Sequence, residues 1–269
     1  MSIHGAVKTD LGRVRSKNED TFGFFPDKAF YVVADGMGGH VGGQIASTLA
    51  VETMMRSLTH SRHEDLTPVT DNEGRFCLGG RRLFLAVQQA NAAVFEKSSQ
   101  DPGLTGMGTT VAAVLFDDRE RLASICHVGD SRVYRVRNGA IQQLTEDHSL
   151  VQQLFREGKI GVQELKVSPH RHILTQAVGI GPIVHPALCI EQPQAGDLYL
   201  LCSDGLHGLV EEEEMLQTAT QGMSDLQQVC DTLVNLANAR GGSDNCTVLI
   251  LRYEDSPDAD EGLTLAEKI

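Results

Sequence analysis

Apolar residues fall into two kinds of pattern along this chain. Short, nearly unbroken runs bounded by turn residues occupy positions 29–34, 109–116, 122–128, 198–202 and 247–253, and each predicts a buried strand. Residues 132–137 alternate in character, followed by Asn138-Gly139 and a further run at 140–144. Asn-Gly between two such runs predicts a tight hairpin, because both central residues take positive φ. The second pattern is helical. Leu226, Val229, Cys230, Leu233, Leu236 and Ala237 recur at the spacing of one buried helix face. Ser224 with Gln227 reads as a capping box at its start, and Gly241 as its stop. Ile45, Ala46, Leu49, Ala50, Met54 and Leu58 form a second stripe, and Leu83, Val87, Ala90 and Val94 a third. Strands in hairpin order with a few paired helices predict an α+β fold, antiparallel sheets covered by helices, rather than an alternating βαβ one. Residues 60–80, polar with Pro68 and Gly74, predict a surface loop, and the acidic stretch 254–269 a frayed tail. No repeat or linker interrupts residues 1–253, which read as one domain.

The ends of these runs carry the candidate chemistry. Asp35 follows the first run and is itself followed by Gly36, Gly38, Gly39 and Gly42. The pattern returns at Gly129-Asp130-Ser131, Ser203-Asp204-Gly205 and Ser243-Asp244-Asn245. One Asp-Gly is ordinarily only a turn. Four such aspartates, each abutting a strand, point to a shared cation, because carboxylates do not cluster for packing. Asn18-Glu19-Asp20 adds a fifth acidic site that on its own reads equally well as a solvated loop. Oxygen donors of this kind suit Mg²⁺ and Mn²⁺. No His/Cys cluster has the spacing of a zinc site. Crowded carboxylates repel one another, so such a site should close tightly only when loaded. Two ions roughly 3.5–4 Å apart can polarise a phosphoryl oxygen and generate hydroxide, while an arginine holds the phosphate by a two-point contact.

Composition narrows the partners. A formal net charge of -13 argues against nucleic acid or an anionic membrane, both of which need a positive footprint. It leaves an anionic substrate open, since a bound metal inverts the local sign. The six cysteines are dispersed with no C-x-x-C, and four (Cys126, Cys189, Cys202, Cys230) sit in apolar runs, which points to a reducing compartment. The start of the chain lacks the pattern of a signal peptide, and no apolar run approaches the ~18 residues of a membrane span. The expectation is a soluble, cytoplasmic monomer.

In sum the motifs resemble the metal-dependent protein phosphatase 2C family in its compact bacterial form. The matching pieces are Arg15-x-x-Asn18-Glu19-Asp20, Asp35-Gly36-Met37-Gly38-Gly39-His40, Gly108-Thr109-Thr110, Val128-Gly129-Asp130-Ser131-Arg132, Leu144-Thr145-Glu146-Asp147-His148-Ser149, Ser203-Asp204-Gly205 and Gly241-Gly242-Ser243-Asp244-Asn245. They run in family order from about residue 10 to residue 252. The resemblance implies two stacked antiparallel β-sheets flanked by pairs of antiparallel α-helices, and hydrolysis of phosphoserine and phosphothreonine on proteins. It also implies residue roles. Asp35 bridges two Mn²⁺ or Mg²⁺ ions and the Gly36 carbonyl meets one of them. Asp204 and Asp244 hold the other, and Asp130 with Asp204 a weaker third. Glu19 acts through or beside metal-bound water with Asp20 behind it, and Arg15 holds the substrate phosphate. Residues 150–179, with Gly158, Gly161 and Pro169, correspond to a flap beside the site. A cognate Ser/Thr kinase, or its substrates, is the partner implied. Eukaryotic relatives place a histidine, a proposed general acid, where this chain has Met37. His40 is the nearest titratable substitute, with a plain helix-start role as the alternative. Gln176 stands where relatives often carry arginine.

Two motifs suggest other chemistry. Cys126 and Arg132 have the Cys-x5-Arg spacing of cysteine-dependent phosphatases, whose loop cradles phosphate at a helix N-terminus. Here Arg132 opens an alternating strand, and Asp130 would place a negative charge in the cradle. The stretch 36–41 faintly resembles a dinucleotide loop, but Val41 replaces the third glycine and Asp35 would repel a pyrophosphate. A non-catalytic phosphoprotein-binding module on the same fold would be marked by missing metal aspartates, and none is missing.

Overall fold

A computed structural model describes residues 1–38, 42–60, 69–70, 74 and 76–255. In chain order the strands and helices are β1 (Ser2–Asp10), β2 (Asp20–Phe25), β3 (Phe30–Met37), α1 (Gly42–His60), β4 (Val69–Thr70), β5 (Phe76–Cys77), α2 (Leu78–Gln100), β6 (Gly108–Thr109), β7 (Val111–Asp117), β8 (Leu122–Val128), β9 (Arg132–Arg137), β10 (Ala140–Gln143), α3 (Leu150–Arg156), α4 (Val162–Val167), β11 (Ala187–Glu191), β12 (Leu198–Cys202), α5 (Asp204–His207), α6 (Glu212–Gln221), α7 (Leu226–Ala239) and β13 (Cys246–Glu254). They form two antiparallel sheets, ordered β1-β13-β12-β9-β10 and β11-β8-β7-β3-β2, with β6 added beside β3 and a small β4-β5 pair apart.

The unbroken apolar runs are explained by burial on both faces. Along β3, Tyr31 and Val33 point between the sheets, where they meet Val114, Phe116, Tyr199, Leu201 and Leu249. Phe30, Val32 and Ala34 point outward, under Ala46, Ala50 and Met54 of α1 and Leu83, Val87 and Ala90 of α2. The other sheet is covered likewise by α5, α6 and α7, through Leu206, Met215, Val229, Cys230 and Leu233 on Leu200, Val248 and Ile250. The result is a four-layer αββα sandwich: the patterns predict antiparallel sheets covered by helices, and the family resemblance implies that the two sheets stack.

Several local expectations shift. The α7 cap is Asp225, whose side chain accepts from the Gln228 N–H, rather than Ser224. The 109–116 run is broken: Thr110 leaves the ladder because its N–H donates to the Asp35 carbonyl. Strand β3 runs on through Gly36 and Met37, which pair with Thr109 and Gly108, so Asp35 lies within the strand rather than at its tip. The 60–80 stretch expected as loop contains the β4-β5 pair and the start of α2; residues 61–68, 71–73 and 75 of it lie outside the described residues, as does the tail beyond 255. The hairpin at Asn138-Gly139 forms with φ of 52° and 74°. Among the described residues no helix is long and apolar enough to cross a membrane.

Candidate active site

The acidic residues meet at one end of the sandwich because strand register brings their elements there. Asp35 pairs across the sheet with Asp20. Asp10, at the end of β1, pairs with Cys246 at the start of β13, which places the 11–19 loop beside Asp244. Asp130 follows β8 at a turn made by Gly129 (φ 98°), and Asp204 follows β12. Arg15, Glu19, Asp35, Gly36, Asp130, Asp204 and Asp244 all line one cavity of about 1080 Å³. Among the candidate site residues His40 lies outside the described residues, as do its neighbours Gly39 and Val41, and Asp20 sits just behind the cavity wall.

A buried hydrogen-bond frame holds the end of the sandwich in place. Asn245 donates to the carbonyls of Leu11 and Lys17 and accepts from the Glu19 N–H, lacing the 11–19 loop to β13. Asp20 Oδ2 accepts from the Ser203 and Thr247 hydroxyls at 2.8 and 2.7 Å. The Asp35 N–H donates to Thr110 Oγ1, which shares a hydrogen bond with Ser131 Oγ. Gly36 is required by packing: a Cβ there would lie 2.1 Å from the Gly43 carbonyl oxygen, so any side chain would force β3 away from α1.

Electrostatically the cavity is poised for cations. Desolvation, reinforced by Asp20, Asp204, Asp130 and Asp244, pushes the Asp35 carboxyl well above its ordinary range. Desolvation also raises Asp20 and Asp130 to about 7. Asp204 moves the other way despite its own desolvation, because His172, His207 and a hydrogen bond from Asp35 favour its charged form. Two basic side chains stand against the carboxylates, Arg15 and His172, the latter with its pKa raised chiefly by its hydrogen bond to Asp204. Arg15 Nη2 is 2.6 Å from Asp244 Oδ2, and His172 Nδ1 is 3.7 Å from Asp204 Oδ2. With these pairs in place, no three His, Cys, Asp or Glu side chains among the described residues are gathered as a finished metal-ligand set. The donor chemistry fits hard divalent cations nonetheless. The set is all oxygen, and the buried Asp204 Oδ1 and Asp20 Oδ1 have no hydrogen-bond partner, an arrangement that is unfavourable unless a cation satisfies it.

The residues of the Cys-x5-Arg motif do not form a phosphate cradle. Cys126 is fully buried in β8, and burial pushes its thiol far up. Arg132 lies in β9, where its Nε and Nη2 donate to Asp147 at 2.9 and 2.8 Å and its Nη1 to the Tyr134 hydroxyl. His148 is structural: its Nδ1 accepts from the Gly129 N–H, and its ring stacks on His127 with centroids 4.7 Å apart.

The comparison with known proteins settles the family. The model described as Protein phosphatase 2C matches residues 13–239. The chain belongs to the protein phosphatase 2C family. Among curated relatives, the serine/threonine phosphatase stp of Listeria monocytogenes is 36% identical over 255 residues, 94% of this chain and 96% of that protein. The serine/threonine protein phosphatase PstP of Mycobacterium tuberculosis is also 36% identical, over 96% of this chain but 46% of its own length. Solved phosphatase 2C structures agree. M. tuberculosis PstP/Ppp superposes with a TM-score of 0.82 at 33% identity, covering 95% of this chain and 100% of that one. A PstP catalytic domain in complex with two manganese ions gives 0.80 at 32% identity, with 94% and 99% covered. Family and relatives together support a protein-serine/threonine phosphatase that depends on divalent metal.

Some of the cavity wall had no signal in the sequence. His172 and Arg171 belong to a polar stretch with no motif spacing, and Ile180 follows the expected flap as an isolated apolar residue. All three line the cavity.

Proposed function

We propose that this chain hydrolyses phosphoserine and phosphothreonine on proteins at a binuclear Mn²⁺ or Mg²⁺ centre, as a single catalytic domain over residues 1–253 that opposes a Ser/Thr kinase. The observation that carries this reading is the convergence of Glu19, Asp35, Asp130, Asp204 and Asp244 on one cavity with Arg15 at its edge. Asp35 would be the ligand shared by the two ions: desolvation and the neighbouring Asp20, Asp204, Asp130 and Asp244 push its carboxyl well above its ordinary range. The Gly36 carbonyl would join it on one ion, Asp204 and Asp244 would hold the other, Glu19 would extend the oxygen set, and Asp130 with Asp204 would hold a third, more weakly. Bound there, two divalent cations would supply Lewis acidity to the phosphoryl oxygens and a hydroxide nucleophile near neutral pH.

The protein's own groups do the rest. Arg15 presents a fork matched to two phosphate oxygens; its partner Asp244 is a carboxylate that would hold a cation, and with Asp244 so engaged the guanidinium would be available to substrate. Asp20 anchors Ser203 and Thr247 and so fixes the strand ends that carry Asp204 and Asp244. Met37 offers no proton, which leaves His40 or solvent to protonate the leaving alkoxide. Residues 150–179 act as a flap over the cavity, to which they contribute Arg171, His172 and residues 174–177. The expected setting is a monomer in the cytoplasm. The test is phosphate release from phosphothreonine, phosphoserine and phosphotyrosine peptides, each with Mn²⁺, Mg²⁺ or EDTA. Metal-dependent release from the first two supports the proposal, and release that EDTA leaves intact refutes it.

A further inference from the structure

The cavity has an apolar wall that metal and phosphate do not use. Met37, Leu174, Ala177 and Ile180 line it together with the carboxylates. At about 1080 Å³ the space is at the upper end of what encloses a drug-sized molecule, room for more than one substrate side chain. Ile180 is 52% exposed, yet it is not a loose surface residue. Its Cδ1 lies over Gly108, where a Cβ would come within 2.8 Å of it, so the absence of a side chain at 108 makes its seat.

The backbone on either side of Ile180 is clamped from behind. Asn91, a buried polar residue on the otherwise apolar inner face of α2, accepts from the Gly179 N–H at 2.8 Å and donates to the Gly181 carbonyl at 3.0 Å. Gly179 (φ 90°) lies so close to α2 that a Cβ would sit 2.2 Å from Val94. The Gln176 side chain ties the same loop across its base by accepting from the His185 N–H at 3.0 Å. The loop is then registered to the catalytic strand: Val178 and Thr109 exchange both backbone hydrogen bonds, and Thr109 Oγ1 donates to the Asp35 carbonyl at 2.9 Å.

We infer that Ile180 is a specificity-determining residue, held by Asn91, that packs against an apolar side chain next to the phosphorylated residue of the substrate protein. The inference rests on the phosphatase reading above: with the phosphate held by Arg15 and by cations that the carboxylates would bind, a neighbouring residue of the substrate would share the cavity that Ile180 lines. Asn91 touches no substrate; it is a positioning residue. Gln176 supports the same loop from its base.

The test uses phosphothreonine peptides that differ only in having Leu or Ser at the two positions on either side of the phosphothreonine, assayed with Mn²⁺. The wild-type protein is expected to favour Leu at one of these positions by about tenfold in kcat/KM, mainly through KM. Ile180→Ala should reduce that ratio to about twofold, and Asn91→Leu should reduce it in the same direction. Should Asn91→Leu not fold, Asn91→Asp, which keeps the acceptor for Gly179 but loses the donor to Gly181, takes its place. A purely structural role for Asn91 would lower kcat/KM for both peptides alike and leave the ratio standing, which overturns its assignment. A wild-type protein that is active on both peptides without preference overturns the inference alone. A wild-type protein that releases phosphate from neither overturns the phosphatase reading with it.

Discussion

Gly36→Ala adds one methyl group at the centre of the site, and the structure fixes what it meets. The new Cβ would lie 2.1 Å from the Gly43 carbonyl oxygen, 2.4 Å from its carbon and 2.7 Å from the Glu19 carbonyl oxygen. All three are backbone atoms, so no side chain can swing aside. Restoring ordinary contact requires β3 and the start of α1 to part by about 1 Å. Overpacking of this kind costs about 2–3 kcal/mol, which at an m-value of about 2–3 kcal/mol/M lowers the urea midpoint by about 1 M. The same displacement moves Asp35 relative to Glu19 and Asp204, and a 1 Å misplacement reduces kcat/KM by about a hundredfold. Urea denaturation and peptide dephosphorylation with Mn²⁺ measure the two effects. Gly139→Ala is the control. Its Cβ meets nothing within 4 Å, but its φ is 74°, so it should cost about 1 kcal/mol and leave phosphate release intact. A Gly36→Ala protein as stable and as active as the wild type would refute the packing argument; equal losses in both variants would show that glycine's backbone freedom, not the close approach, is what matters.

Other consequences follow from charge. Asp197 is 1% exposed and paired with Arg137; Arg137→Met should destabilise by about 3–5 kcal/mol by leaving a buried charge unpaired, with most of it recovered in Arg137→Met/Asp197→Leu, as read by urea denaturation. Burial and the neighbouring His127 lower His148 from 6.5 to about 4, and burial lowers His127 as well. The unfolded chain therefore binds more protons in that window, so this contribution is complete above about pH 6.5 and is lost as pH falls toward 4. For His148, partly exposed, it amounts to about 2–3 kcal/mol, and His148→Gln should flatten the slope. Arg15→Ala should lower kcat/KM for phosphothreonine peptides by about 10- to 100-fold through the lost charge-assisted contact, while tightening Mn²⁺ binding in calorimetry because Asp244 loses its competing guanidinium.

The layers of the fold were legible because doubly covered strands leave long apolar runs, and Asn138-Gly139 can do little but turn. The strands that escaped notice have weaker patterns. β1 and β2 are sheet edges whose residues are mostly half-buried, and the apolar signal of β11 is only five residues long. The misplaced α7 cap shows that Ser and Asp side by side offer equivalent oxygens, so backbone geometry decides between them. At the site, aspartates beside glycines stood out because that pairing is expensive without a ligand. The carboxylates' cationic counterparts were legible only in part. Arg15 carries a motif, whereas His172 reaches Asp204 through the fold of a segment with no periodicity. Asn91 was hidden inside a helical stripe, since its role depends on a loop 90 residues away.

The central claim is that the gathered carboxylates hold the metal on which phosphate release depends. Phosphate release from a phosphothreonine peptide, followed as Mn²⁺ is titrated into EDTA-treated wild-type protein and into Asp204→Asn, tests it most directly. The account predicts no release without metal, saturable recovery in the wild type, and none in Asp204→Asn at the same Mn²⁺ concentrations. Full release in EDTA, or an Asp204→Asn protein as active as the wild type, would contradict it.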